Sequence, residues 1–524
     1  MELLVLVIYG LFPILIVIVI IKKDNYHMDE LFSYGSSNHQ IYLPFKEGKY
    51  DFPYNIFYKN FLVVNINSRF NYYKVWKNQS KDVHPPIYYA ILHTICSFFP
   101  EKFSRWYAGS INIFFALLTL YTLRKIILNL TYNKEICNIV SFVFILSPGI
   151  LSATTYFRMY ILAMFFITLL VYTIIKEIDT SLYKLYFFIK LYFISVFGAL
   201  IHYYCIFYTI TICFIFLIIL LIQRKWLSII ELIITGILGG YTSILIFPAM
   251  IRHTFYGYRG KQTFFNLKQS KRKYWLKILK FYQLINKDLF GNYFIFIIIF
   301  ILLMILMNFY IDKKKTKLGI KDYFLKILYD KSIRNTTIKY SIIFVSSLIY
   351  FLFISKIAVY HQNRFIVPIY SITIVSFFSL MILLLINLIK KKNYSYPLIV
   401  LLLTFIFGNE WKIFWKRIFK TPLSDPLEDY SNLDCIFIYN KGWKILSYFI
   451  EIQNCRRIKF IKNRYLKKKK KKIFAYDKME ELILMSLKGL KINVRKLIKF
   501  FPKINSYKRI PINSDLIIYY LYFK

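Results

Sequence analysis

Two carboxylates stand side by side at Asp29 and Glu30, in the segment His27-Met28-Asp29-Glu30-Leu31-Phe32-Ser33-Tyr34-Gly35, just beyond a long apolar run. A carboxylate so placed can take the proton of an attacking hydroxyl, which is general-base chemistry. An adjacent acidic pair in a loop is also commonly a solvated turn, so the dipeptide alone decides nothing. A second segment, Asp82-Val83-His84-Pro85-Pro86-Ile87-Tyr88-Tyr89, opens another apolar stretch. Proline suits a first helical turn because its missing N–H would have no partner there. A helix start therefore explains Pro85 and Pro86 but not His84, which they hold at the mouth of the helix. Arg158, His202, Arg259, His361 and Arg364 stand at or near the ends of other apolar runs. Cations and donors in such positions can stabilise charge on a departing anion. Ionisable groups at a membrane boundary also serve as anchors, and a packed histidine is an equally good reading of His202. His93, inside a short apolar stretch, is read as structural.

The elements that must position these residues are apolar. The chain has 524 residues, is 58% hydrophobic and has a mean hydropathy of +0.48. Runs of about 18 or more apolar residues are transmembrane candidates. Leu3–Ile21, Trp106–Leu123, Ile136–Phe157, Met159–Ile175, Leu232–Ile251, Leu289–Ile311, Phe365–Ile389 and Asn393–Asn409 read this way. Tyr340–Ser355 is shorter but fits. Leu191–Gln223, with Leu185–Ile189 ahead of it, is too long for one span and predicts two helices meeting near His202-Tyr203-Tyr204. The run Leu3–Ile21 has no basic segment before it and no small-residue cleavage site after it, so it reads as an anchor helix.

The net charge of +45 does not predict a nucleic-acid partner. Many basic residues flank apolar spans, where Lys and Arg set topology, and Lys467–Lys472 reads as a charged linker. Arg124–Glu135, Lys176–Lys184, Arg224–Glu231, Asp312–Lys339 and Lys390–Lys392 alternate with the spans and are assigned to the cytoplasm. The opposite face then carries Arg158, the His202 turn, Arg252–Asp288, Lys356–Arg364 and everything after about Glu410. Ile87–Pro100 is about half a span long and is expected not to cross. The first loop, residues 24–105, then lies outside as well.

The resulting expectation is an α-helical polytopic membrane protein with about 11–13 spans. A transmembrane domain over residues 1–411 is followed by a small basic α/β domain over 412–524 outside the cytoplasm. In the latter, Leu433–Tyr439, Arg457–Ile461 and Leu516–Tyr522 read as strands, and Trp443–Glu451 and Asp477–Leu490 as helices. Cys96, Cys137, Cys205 and Cys213 lie in or beside apolar stretches and read as small buried hydrophobes. Cys435 and Cys455 pair only if their domain faces an oxidising compartment.

The ordered set of motifs resembles the GT-C glycosyltransferases. The closest branch is the one related to protein O-mannosyltransferases and lipid A aminoarabinose transferases, glycosyltransferase family 39. The resemblance rests on Asp29-Glu30 after the first helix, on His84-Pro85-Pro86 and on Phe157-Arg158-Met159-Tyr160. Tyr256-Gly257-Tyr258-Arg259-Gly260 and His361-Gln362-Asn363-Arg364-Phe365-Ile366-Val367-Pro368 complete it, over roughly the first four hundred residues. It implies a sugar donor carried on a polyprenyl phosphate and an inverting displacement onto an acceptor hydroxyl of a glycan, lipid or protein. Asp29 is then the base, with Glu30 in support. His84, Arg158 and Arg364 are candidates for the lipid phosphate, and His202, Arg259 and His361 are further ones. Some relatives carry an acid where this chain has Tyr160, so no second catalytic acid is expected there; the first loop lacks the Asp-x-Asp pattern of metal-using oligosaccharyltransferases. An obligatory metal is therefore not expected.

A transporter or flippase for lipid-linked sugars is the alternative of a different class. It accounts for the spans but not for the long first loop with its carboxylates, and no related halves are visible. A membrane scaffold for the C-terminal domain leaves the outward ionisable residues unexplained.

Overall fold

The computed structural model of the chain describes residues 2–23, 25–178, 185–316, 331–359, 362–388, 413–414, 433–463, 481–487, 504–511 and 516–523. In chain order the α-helices among the described residues are α1 (Glu2–Ile21), α2 (Met28–Asn38), α3 (Tyr72–Lys81), α4 (Ile87–Phe98), α5 (Arg105–Thr131), α6 (Lys134–Leu146), α7 (Pro148–Thr154), α8 (Tyr160–Glu177), α9 (Leu185–Ile201), α10 (Tyr203–Ile222), α11 (Trp226–Ile246), α12 (Ala249–Ile251), α13 (Tyr258–Leu267), α14 (Lys271–Phe290), α15 (Phe294–Thr316), α16 (Lys331–Ile357), α17 (Tyr370–Ile374), α18 (Leu380–Leu388) and α19 (Phe449–Gln453). The strands are β1 (Tyr50–Asp51), β2 (Asp434–Tyr439), β3 (Arg457–Lys462), β4 (Glu481–Leu487), β5 (Ile504–Pro511) and β6 (Leu516–Phe523).

Among the described residues, 7 helices are long and apolar enough to cross a membrane, or up to 9 if each bent pair is one span. The two bends have local causes. Between α6 and α7, bent by 58°, Pro148 removes a ladder donor. Between α14 and α15, bent by 74°, Gly291 adopts the left-handed conformation that ends a helix without Cβ strain. The expected span Asn393–Asn409 lies outside the described residues, as do Lys390–Lys392 and Lys467–Lys472. Ile87–Pro100 forms a helix of only 12 residues, α4. The long run around residue 202 divides as its length requires. His202 caps α10, its Nδ1 accepting the backbone N–H of Tyr204 at 3.1 Å.

The chain separates into two compact units. The first comprises Met1–Lys22, Gln79–Tyr88 and Ala108–Lys420; the second comprises Lys23–Asn78, Tyr89–Tyr107 and Thr421–Lys524. This grouping places most of the first loop, Lys23–Asn78 and Tyr89–Tyr107, with the C-terminal segment. Strand pairing gives the reason. The second unit holds a sheet in the order β1-β3-β2-β4-β6-β5, and β1 comes from the first loop. Tyr50 and Asp51 pair antiparallel with Lys459 and Ile458 at its edge.

Within that sheet β2 runs parallel to both β3 and β4, and β6 joins β4 to β5 by antiparallel pairing. The helix expected over Asp477–Leu490 is instead β4. It pairs with β2 on one side and β6 on the other, its successive residues Leu484 and Met485 are both fully buried, and a strand covered on both faces reads as a continuous apolar run rather than an alternating one. That pattern is indistinguishable by period from a buried helix. Trp443–Glu451 forms a 3-10 turn, Gly442–Tyr448, followed by a short helix, Phe449–Gln453. Cys435 and Cys455 are joined by a disulfide. Asp434, fully buried at the start of β2, is held by Arg456 at 2.9 Å and by Arg457.

The helix that carries Asp29 is fixed in this second unit by close contact. Gly35 packs its Cα against the ring of Phe61, where a Cβ has no room. Tyr34 is fully buried and donates its hydroxyl to the Ser104 carbonyl at 2.7 Å. Gly35→Ala is expected to destabilise this unit by about 1–3 kcal/mol, the usual cost of overpacking. Phe61→Leu added to it should restore part of the loss, as read by denaturant unfolding of the purified protein. The exposed Tyr73 tests the expected sidedness of the first loop. A single cysteine there should react with a membrane-impermeant maleimide in intact cells. Labelling only after lysis overturns the outward assignment.

Candidate functional site

In the first unit, the candidate residues cluster where helices begin. His84 stands three residues before Ile87 of α4, Arg158 two before Tyr160 of α8, and His202 directly before Tyr203 of α10. Arg259 lies in the first turn of α13, and Arg364 precedes the apolar stretch Val367–Ile386. The first backbone N–H groups of a helix have no intrahelical partner and carry the positive end of its dipole. Side chains that precede helix starts thus meet a region already suited to an anion.

Three of these groups form one hydrogen-bonded chain. The Asp82 carboxylate lies 2.9 Å from His84 Nδ1, and His84 Nε2 lies 3.2 Å from an Arg158 terminal nitrogen. A guanidinium can only donate, so Nε2 accepts and the imidazole proton sits on Nδ1, facing Asp82. The tautomer follows from this geometry. Burial alone pushes the Asp82 carboxyl upward, but contact with His84 and the charge of Arg158 outweigh it and hold the group below its ordinary value. Asp82 is therefore ionised at neutral pH. Arg158 is buried, whereas Asp82 and His84 remain partly exposed.

His202 joins the same group. Burial first, then the charges of His84, Arg158 and Arg364, push its imidazole down to about 3. It is neutral, its Nδ1 is committed to the cap of α10, and Nε2 carries its proton as a donor. Arg259 and Arg364 both act electrostatically on Tyr204, the next residue but one. Tyr204 also packs against Phe365 at 5.4 Å between ring centroids. Tyr160 stacks on Tyr156 at 5.8 Å and meets the His202 ring at 5.5 Å. The arrangement sums to two guanidiniums near two neutral imidazoles, with Arg259 at the margin and one carboxylate bound to His84. Such a group has a net positive charge in a partly dry setting and matches a phosphate through bidentate, charge-assisted hydrogen bonds.

The candidates therefore fall into three sets. His84, Arg158, His202, Arg259 and Arg364 come together in the first unit. Asp29 and Glu30 belong to the second unit. His361 lies outside the described residues. The carboxylate pair itself divides. Glu30 is fully buried, pairs with Lys23 Nζ at 2.7 Å and accepts the backbone N–H of His27 at 2.7 Å, closing a capping box at the start of α2. His27 Nδ1 accepts the Asp29 N–H at 3.1 Å. The Asp29 side chain remains 24% exposed, while Glu30 is closed off, so only Asp29 can meet a substrate without unfolding the cap.

Two contributors escape a reading by residue type. Asp82 is visible in the sequence only as the acid two places before His84. Asn112, buried in α5, donates to the carbonyls of Thr154 at 2.8 Å and Tyr156 at 2.9 Å, pinning the turn that carries Arg158. Its signal is a single amide inside an apolar span. No group of three or more His, Cys, Asp or Glu that could hold a metal occurs among the described residues.

No family model matches the chain, and no curated protein matches it. Solved structures do. ArnT from Cupriavidus metallidurans bound to undecaprenyl phosphate aligns with a TM-score of 0.49 at 8% identity, over 98% of this chain and 97% of that one. The apo state of ArnT from the same organism aligns with a TM-score of 0.45 at 8% identity, over 93% and 95%.

The cluster predicts anion binding that is testable without knowing the substrate. Dodecyl phosphate should raise the unfolding temperature of the purified protein where dodecanol does not. Arg158→Ala should weaken that binding by roughly tenfold to a hundredfold, the range for a lost hydrogen bond to a charged group. Equal stabilisation of wild type and variant would place the anion elsewhere.

Proposed function

We propose that the protein is an inverting membrane glycosyltransferase that moves a sugar from a polyprenyl-phosphate donor to an acceptor hydroxyl outside the cytoplasm. The observation that carries this reading is the Asp82–His84–Arg158 chain, with His202 and Arg364 beside it. A cationic centre at the starts of apolar helices suits a lipid whose phosphate sits at the membrane boundary and whose tail lies in the bilayer.

In the reaction, the acceptor oxygen attacks the anomeric carbon and the bond from that carbon to the phosphate oxygen breaks. The acceptor proton passes to a carboxylate, and the electron pair of the broken bond leaves with the polyprenyl phosphate. Asp29 keeps its assignment as the base from the sequence motif alone. Arg158 and Arg364 hold the phosphate oxygens, and His202 donates to one of them from Nε2. An incoming phosphate draws Arg158 away from His84, and the ionised Asp82 then favours a protonated His84 that faces the leaving oxygen. This is general-acid assistance to the leaving group by a histidine whose partner carboxylate raises its basicity. Arg259 lies at the margin as a further contact for the donor. His361 keeps its place as a candidate from the sequence motif alone.

Three considerations support the outward orientation. The basic loops alternate consistently with the cytoplasm. The Cys435–Cys455 pairing fits an oxidising compartment. The second unit contains both that disulfide and Asp29. The residues assigned here need no metal for the displacement, and the two guanidiniums supply the positive charge at the phosphate.

The decisive experiment incubates the purified protein with a panel of polyprenyl-phosphate sugars and scores which donor is consumed. Consumption of one donor, with release of polyprenyl phosphate, is expected. Asp29→Asn should lower its turnover by about 10²–10⁴-fold, the usual worth of a general base, with folding unchanged. Glu30→Gln should act mainly on stability, because its amide oxygen can still close the capping box but the charge partner of Lys23 is lost. Full turnover in Asp29→Asn overturns the assignment of the base. Transbilayer movement of the donor in vesicles, with no sugar transferred, would favour a flippase instead.

A further inference from the structure

The loop between α3 and α4 carries Asp82 and His84, yet it has no regular secondary structure of its own after Lys81. Something must hold it if His84 is to keep its orientation toward Arg158. The segment Arg252–Tyr256 and the first residue of α10 supply that hold. The Tyr203 hydroxyl lies 2.7 Å from His253 Nδ1, and His253 Nε2 lies 3.0 Å from the Ser80 carbonyl oxygen. A carbonyl only accepts, so Nε2–H donates to Ser80 and Nδ1 accepts from the Tyr203 hydroxyl. Both ring nitrogens are committed, which fixes the ring in one orientation. The Arg252 guanidinium donates to the same carbonyl. His253 is buried and packs edge-on against Phe247 at 5.6 Å and against Tyr203 at 6.0 Å between ring centroids.

We infer that Tyr203 and His253 are positioning residues for the lipid-phosphate site, acting through Ser80 to set the Asp82–His84 pair. The inference rests on the proposed function and adds residues to it. Ser80 is two residues from Asp82, and Asp82 lies within electrostatic reach of both Tyr203 and His253. Tyr203 directly follows His202, so the first turn of α10 reaches the phosphate group of residues with one side chain and braces it with the next. An aromatic residue at that place in the sequence reads as part of an interfacial belt. Its hydroxyl gives it a specific partner.

The test uses the full-length protein in nanodiscs and measures the affinity for undecaprenyl phosphate as a probe. Asp82→Asn is expected to weaken binding, and Tyr203→Phe to weaken it about tenfold, close to the loss of one hydrogen bond. His253→Ala should do the same, whereas His253→Gln, which offers both a donor and an acceptor, should recover most of the affinity. The readout that a merely structural role does not move is coupling. Tyr203→Phe in the Asp82→Asn background should add little, because both changes release the same loop, whereas independent sites add. Full additivity, or unchanged affinity in both Tyr203→Phe and His253→Ala, overturns the positioning role. If Asp82→Asn weakens binding while those variants do not, the inference alone fails. Absence of any binding by the wild-type protein removes the proposed function, and the inference with it.

Discussion

A cluster of like charges in a poorly solvated place opposes its own formation, and much of the first unit is organised to tolerate one. Arg158 and Arg364 both act on His202, and removing such groups from water costs several kcal/mol per ion unless partners offset it. The chain offsets it in three ways. Asp82 provides a negative charge, passed to Arg158 through His84. His202 is kept neutral, so it adds a donor without another charge. Asn112 satisfies the carbonyls of the turn that presents Arg158, removing a second desolvation cost from the same place. The remaining positive potential is what the proposed phosphate headgroup would complete.

The helix starts deepen the same effect. Each of His84, Arg158 and His202 precedes a helix whose first N–H groups have no backbone acceptor within the helix. An anion near these groups gains from the dipole ends as well as from the side chains. Proline at 85 and 86 and the imidazole cap of His202 are the local devices that decide where two of those helices start.

The outline of the fold was readable from the period and length of apolar runs. The half-span at Ile87, the break at His202 and the strands at Leu433, Arg457 and Leu516 all follow from local patterns. What was not readable depended on partners far away in the chain. Asp477–Leu490 has a helical look in isolation, and only pairing with β2 and β6 makes Glu481–Leu487 a strand. Ile504–Pro511, with its lysine, arginine and terminal proline, gives little sign of a strand, yet it pairs with β6 as an edge. Tyr50–Asp51 joins a sheet whose other strands lie about four hundred residues later, a relation that no local window contains. Within the site, the positively charged members were legible by type, because a charge at the end of an apolar run is conspicuous. Asp82 and Asn112 were not, because their importance lies in what they orient.

The carboxylate pair shows how one local motif can hide two jobs. In sequence, Asp29 and Glu30 are equivalent acids. In the fold, Glu30 sits at the N3 position of α2, where a side chain can reach back to the cap residue, and it closes that box against His27 while pairing with Lys23. A residue two positions from the cap cannot make that return contact to the backbone; the Asp29 carboxylate lies 3.8 Å from His27 Nδ1 and stays partly open to solvent. The helix geometry thus assigns the roles: the acid that fixes the start of α2 is buried, and the acid beside it is presented by that rigid start. Gly35, by letting α2 lie directly on Phe61, fixes the other end of the same short helix. A base must be held within a fraction of an ångström of its proton to be effective. For the base proposed at Asp29, an eleven-residue helix clamped at both ends is a physical means of holding it.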